Sequence, residues 1–120
     1  PTLAVRRLRN DGSRDASFGV SGLASLHLRA ARNRGAVDGS NDYSINFGRI
    51  DIDSAGRIVL GGEVFHFAAP CAAVARLLPD GAIDETYGPE GFRLSCVDGN
   101  STAIAVVAGT GDDTFVVSRN

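Results

Sequence analysis

Short apolar runs alternate with clusters of glycine and aspartate along the whole chain, and none of the runs sustains a helical period. Ile50 and Ile52 against Asp51 and Asp53 show the alternation most clearly, sending apolar side chains to one face and carboxylates to the other. The pattern predicts eight strands, over residues 3–9, 23–29, 44–51, 57–64, 72–78, 92–97, 103–108 and 114–118. The stretch nearest to a helix, SLHLRAARNR, has an Arg cluster where an amphipathic stripe would continue, so it reads as a strand leading into a loop. Fifteen glycines against four prolines punctuate the runs as turns do in an all-β protein.

The eight runs fall into two similar halves. Residues 4–24, AVRRLRNDGSRDASFGVSGLA, lie over residues 73–93, AVARLLPDGAIDETYGPEGFR, at a constant offset of 69. Beyond them the offset drops to 57, where FGRIDIDSAGRIVLG lies over IAVVAGTGDDTFVVS in apolar pattern alone. The difference is taken up by an inserted loop over residues 29–41, so the first repeat is expected to span 1–64 and the second 65–120. Four antiparallel strands per repeat is the content of a β-propeller blade, and propellers close with about four to eight blades. The expected fold is therefore all-β, two blade-like repeats forming a propeller fragment or a propeller completed by oligomerisation.

The doubled phrase DGSRDASFG and DGAIDETYG has a physical reading in each half. Gly12 and Gly81 supply the positive φ of a tight turn, and Asp11 and Asp80 accept hydrogen bonds from that turn's own amides. Asp15 and Asp84 are placed to cap the bend ending in Gly19 and Gly88, with Phe18 and Tyr87 plugging the blade edge against the next sheet. The alternative reading makes Asp11 with Asp15 and Asp80 with Asp84 oxygen donors for calcium. That spacing lacks a third acidic position and a closing bidentate Glu, although Glu85 is nearby.

The segments ARLLPDGAIDETYGPEGF and RRLRNDGSRDASFGVSGL, with DSAGRIVLGG, resemble the bacterial delta-60 repeat, in two copies. Ala55 stands where that repeat usually has Asp before Gly56. The resemblance implies propeller-like structure in large, often exported bacterial proteins, hence a secreted, periplasmic or cell-surface location, and it implies no catalytic residue.

Composition removes several function classes. The net charge is −2, and all 12 cations are Arg; Arg29, Arg32 and Arg34 make the expected insertion locally basic. A nucleic-acid surface would need a basic excess on one face. No apolar run approaches the roughly 20 residues of a membrane-spanning helix. The chain contains no Met, which suggests excision from something longer. Cys71 and Cys96 lack zinc-ligand spacing and are candidates for a disulfide if their two strands pair. His27 and His66 do not recur at the repeat offset, and neither a G-x-S-x-G nor an H-E-x-x-H motif is present.

A non-enzymatic repeat module, acting as scaffold or interaction surface, is therefore the leading expectation, with no cofactor. Its partners would be further repeats of the same parent chain, copies of itself, another protein or a glycan. A carbohydrate- or small-ligand-binding propeller using Tyr43, Phe65, His66 and Phe67 is the second reading, and a hydrolase the third.

Overall fold

A computed structural model describes residues 2–27, 43–66, 69–88, 91–95 and 102–119. The expected insertion 29–41 lies outside the described residues, as do Phe67 and Cys96. Eight strands form: β1 Thr2–Arg6, β2 Leu23–His27, β3 Tyr43–Ile52, β4 Ile58–His66, β5 Ala69–Leu77, β6 Phe92–Ser95, β7 Thr102–Ala108 and β8 Thr114–Arg119. All pairing between them is antiparallel.

The strands are shared out as two, four and two: β1–β2, then β3–β4–β5–β6, then β7–β8. A sheet therefore starts midway through one sequence repeat and ends midway through the next. The sequence boundary between residues 64 and 65 falls inside the β4–β5 ladder, where Val64 pairs with Cys71 and Phe65 with Pro70.

Alternation in the central strands sorts side chains to two buried faces. Ile58, Leu60, Ala73, Ala75, Leu77 and Phe92 meet Ala24, Leu26, Leu3 and Val5 of the β1–β2 pair. Val59 and Val74 point the other way and meet Val106 of β7, with Tyr87 and Ala108 at the margin. Burial on both faces is why β4 and β5 read as nearly continuous apolar runs rather than as a clean alternation.

The glycine pair Gly61–Gly62 lies in the middle of β4. A Cβ on Gly61 would come within 2.8 Å of the Val106 Cβ, so the small residue lets β7 stack closely. One on Gly62 would meet the Asn46 carbonyl oxygen at 2.2 Å, beside the irregularity between Phe47 and Arg49.

That irregularity corrects the weaker half of the repeat alignment. Ile52 pairs with Ile58 across the β3–β4 turn and Ala108 with Thr114 across the β7–β8 turn, which sets the hairpins 56 residues apart rather than 57. The register shifts agree, one bracketing Gly48 and the other Ile104. A shift of one residue exchanges the two faces of a strand, so the corrected offset decides which side chains are equivalent.

Candidate functional site

Each copy of the doubled phrase folds into the same hydrogen-bonded loop. In the second, Leu78 N–H donates to the Ala82 carbonyl, Gly81 N–H to Leu78, Asp84 N–H to Arg76 and Tyr87 N–H to Asp84, at 2.8–3.1 Å. In the first, Arg9, Gly12, Asp15 and Phe18 make the corresponding bonds to Ser13, Arg9, Arg7 and Asp15 at 2.8–3.1 Å. Gly12 and Gly81 have φ of 83° and 90°, and the Asp11 and Asp80 carboxylates accept the amides of Ser13 and Ala82, both at 2.9 Å. Gly19 has φ 57°, and its N–H donates to the Asp80 carbonyl at 2.7 Å, which ties the first loop to the second. A Cβ on Gly88 would come within 2.8 Å of the Phe92 carbonyl oxygen.

The loops are locked by an arginine that recurs in the repeat but carries no obvious role in the sequence. Arg76 Nε donates to Asp84 Oδ2 at 2.6 Å, while Asp84 Oδ1 accepts the Thr86 hydroxyl at 2.6 Å and its amide at 3.1 Å. The guanidinium lies over the Tyr87 ring, 4.5 Å from its centroid. The first copy repeats the arrangement: Arg7 Nε on Asp15 Oδ2 at 2.9 Å, Ser17 on Asp15 Oδ1 at 2.6 Å, and Arg7 over Phe18 at 5.0 Å. Arg76 and Asp84 are buried, whereas the Arg7 clamp is partly open to solvent.

Burial pushes the Asp84 carboxyl up, but the Thr86 hydroxyl, the Arg76 guanidinium and the Thr86 amide outweigh it and hold the group below its ordinary value. Asp15 is lowered to about 2, chiefly by the Ser17 hydroxyl and amide, with Arg7 adding to them. Asp11 is lowered by the Ser13 hydroxyl and amide.

A third clamp sits at the β3–β4 turn. Arg57 Nε donates to Asp53 Oδ2 at 2.6 Å, and Asp53 Oδ1 accepts the amides of Ala55 and Arg57 at 2.9 and 2.8 Å. Burial pushes Asp53 up, and these donors bring it below its usual value. Arg57 also donates to the Gly111 carbonyl at 2.7 Å and to the Asp112 carboxylate, which receives Arg76 Nη1 at 3.3 Å as well. Asp112 thus fastens the β7–β8 turn onto two arginines of the central sheet.

Every carboxylate oxygen of Asp15, Asp53 and Asp84 is engaged by the chain's own donors. Among the described residues no group of three or more His, Cys, Asp or Glu stands together as a metal site would require. Cys71 is disulfide-bonded, and Cys96, the other half of the expected pairing, lies outside the described residues. Phe65 is partly exposed, while the side chains of Tyr43, His27 and His66 and the whole of Phe67 lie outside the described residues. An opening of about 580 Å³ lies between the Gly19–Ser25 and Asp80–Ile83 segments, with Val20, Leu23, Ala24 and Ile83 among its lining residues.

Residues 1–18 and 56–87 match a family described as a β-propeller domain of unknown function, DUF5122. The chain is similar to a propeller repeat. The second matched segment runs from the β3–β4 turn through β4 and β5 to its clamp, and the first covers β1 and its clamp. No curated protein and no solved structure matches the chain.

Proposed function

We propose that the chain is a non-enzymatic propeller-repeat module, a scaffold or interaction surface of an exported bacterial protein. The observation that carries this reading is the use of the repeated polar residues. Arg76, Asp84 and Thr86 are spent on one another and on the next hairpin, around a buried Arg76–Asp84 pair that leaves none of the three as a free nucleophile, base or open carboxylate. A catalytic or ligand-binding set presents free groups to a cavity, whereas Arg76, Thr86 and Asp112, which line an opening of about 360 Å³, are already tied together through Arg76 and Asp84. The resemblance of the phrase to the delta-60 repeat supports the bacterial and exported setting.

The test is a thermal-shift series on the purified chain with calcium, with chelator and with a panel of glycans. A ligand that binds the folded form raises the melting temperature by mass action. The expected result is an unchanged melting temperature throughout. A rise of several degrees with calcium, or with one glycan, overturns the scaffold reading in favour of a binding propeller.

A further inference from the structure

We infer that two copies of this chain join head to tail, β8 of one pairing antiparallel with β1 of the next, so that two half-blades become one four-stranded blade. The proposal builds on the propeller-repeat reading but not on the scaffold role.

The chain carries its own template for this junction. By the 56- and 69-residue equivalences, β8 corresponds to β4 and β1 to β5, and β4 pairs with β5 along nine residues inside the central sheet. Among the described residues β8 pairs only with β7, and β1 only with β2. Carrying the β4–β5 register over, in which Leu60 faces Ala75 and Ile58 faces Leu77, sets Val116 opposite Arg6 and Thr114 opposite Leu8.

Exposure supports the same junction. Leu8 is 62% exposed whereas its equivalent Leu77 is 0%. Phe115 is 62% exposed against 1% for Val59, and Val116 38% against 4% for Leu60. In the central sheet the equivalent side chains are covered along the paired β4–β5 ladder, so the exposed apolar surface at these two edges marks an interaction site.

The surfaces beside the junction fit a second copy. A groove of about 320 Å³ lies where the missing half would rest on the central sheet, walled by Ala72, Val74, Tyr87 and Leu94 on one side and by Thr114 and Val116 on the other. Arg6 stands where the complete blade has the compact Ala75, and this groove gives its longer side chain room. Thr114 Oγ1, buried there without a hydrogen-bond partner, is the diagonal same-face neighbour of Arg6 in the carried-over register. On the far side, exposed Phe115 and Val117 of one copy would cover Ile50 and Ile52, the apolar part of the next copy's central sheet left open by β1–β2. Each joined copy adds one whole blade and one composite blade, so about two to four copies reach the four to eight blades that close a propeller.

Complementation tests the junction using residues already exposed in the lone chain. Leu8→Asp disables the β1 edge and leaves β8 intact; Phe115→Asp does the reverse. Light scattering at about 100 µM is expected to show the wild-type chain self-associating, each variant monomeric, and an equimolar mixture forming a 1:1 dimer. A misfolded variant would fail to complement. A bifunctional thiol cross-linker is expected to join Arg6→Cys to Val116→Cys but not to Val117→Cys, which faces the other way. A monomeric wild type, variants that associate as it does, a mixture that stays monomeric, or cross-linking indifferent to register each overturns the junction and leaves the scaffold reading standing. A ligand found by thermal shift does the opposite.

Discussion

The two arginine clamps share geometry and differ in burial, so they separate the worth of an ion pair from the worth of its surroundings. Arg76 and Asp84 are each 3% exposed, and removing one partner leaves the other charge buried without compensation. Arg76→Met is therefore expected to destabilise the chain by about 3–5 kcal/mol. Arg7 is solvent-accessible, and Arg7→Met is expected to cost only about 0–1 kcal/mol, the range of exposed pairs. Denaturant titration of both variants checks this. Equal losses would mean that the clamps act through the loop's backbone bonds, which are the same in the two copies, and not through the buried charges.

At the scale of elements, the β7–β8 hairpin is held to the central sheet by β7, which packs across β3, β4 and β5, and by the β7–β8 turn. Val106 packs over Gly61, the Asp51 carboxylate accepts the Ala108 amide at 2.8 Å, and Asp112 bridges Arg57 and Arg76. Gly61→Leu is expected to lift the hairpin while the larger cluster around Leu60, Ala75 and Leu77 stays packed. Hydrogen exchange should then speed up by at least tenfold in 105–108 and stay unchanged in 73–77. Uniform loss of protection would show that the hairpin and the central sheet unfold as one unit. The strands themselves were legible in the sequence, because alternation and glycine turns are local signals, and each of the eight expected runs overlaps one, with ends that differ by up to a few residues. Their division into sheets was not. The repeat in the sequence marks what recurs, and a blade that begins at β3 recurs with the same period as one that begins at β1. The hairpin offset of 57 missed by one residue because the second copy has lost the Asp53–Arg57 clamp that would have fixed it; its β7–β8 turn has Gly109 N–H bonded to the Asp113 carbonyl, the counterpart of Asp53 N–H to Arg57. The aspartates and glycines of the doubled phrase were readable as turn residues. Arg7 and Arg76 recurred visibly, but an arginine in an apolar run finds its aspartate eight residues later only when the intervening turn folds the chain back. Asp112 gave no signal at all, since its partners Arg57 and Arg76 lie 55 and 36 residues away.

For the whole molecule, the clamps imply a particular response to acid. Asp11, Asp15, Asp53 and Asp84 all have folded values below the ordinary 3.8. A carboxyl depressed by folding stabilises the folded state fully above its unfolded value, and that contribution is lost as pH falls through the folded one. Stability should therefore begin to fall below about pH 4 and continue falling towards pH 2, the value of Asp15. Protonation also turns a chain of net charge −2 into one dominated by its 12 arginines, and self-repulsion acts in the same direction. Salt separates the two causes, because it screens the dispersed arginines and leaves the buried Asp84 pair nearly untouched. Thermal melts of the wild type and of Asp84→Asn between pH 2 and 6, in about 0.1 and 1 M salt, where the screening length is about 10 and 3 Å, provide the comparison. The wild type is expected to keep a steep acid limb in high salt, and Asp84→Asn to start from a lower melting temperature and lose less of it on acidification. Coincident acid limbs for the two proteins in high salt would assign the acid response to repulsion among the arginines and leave the Asp84 clamp no part in it.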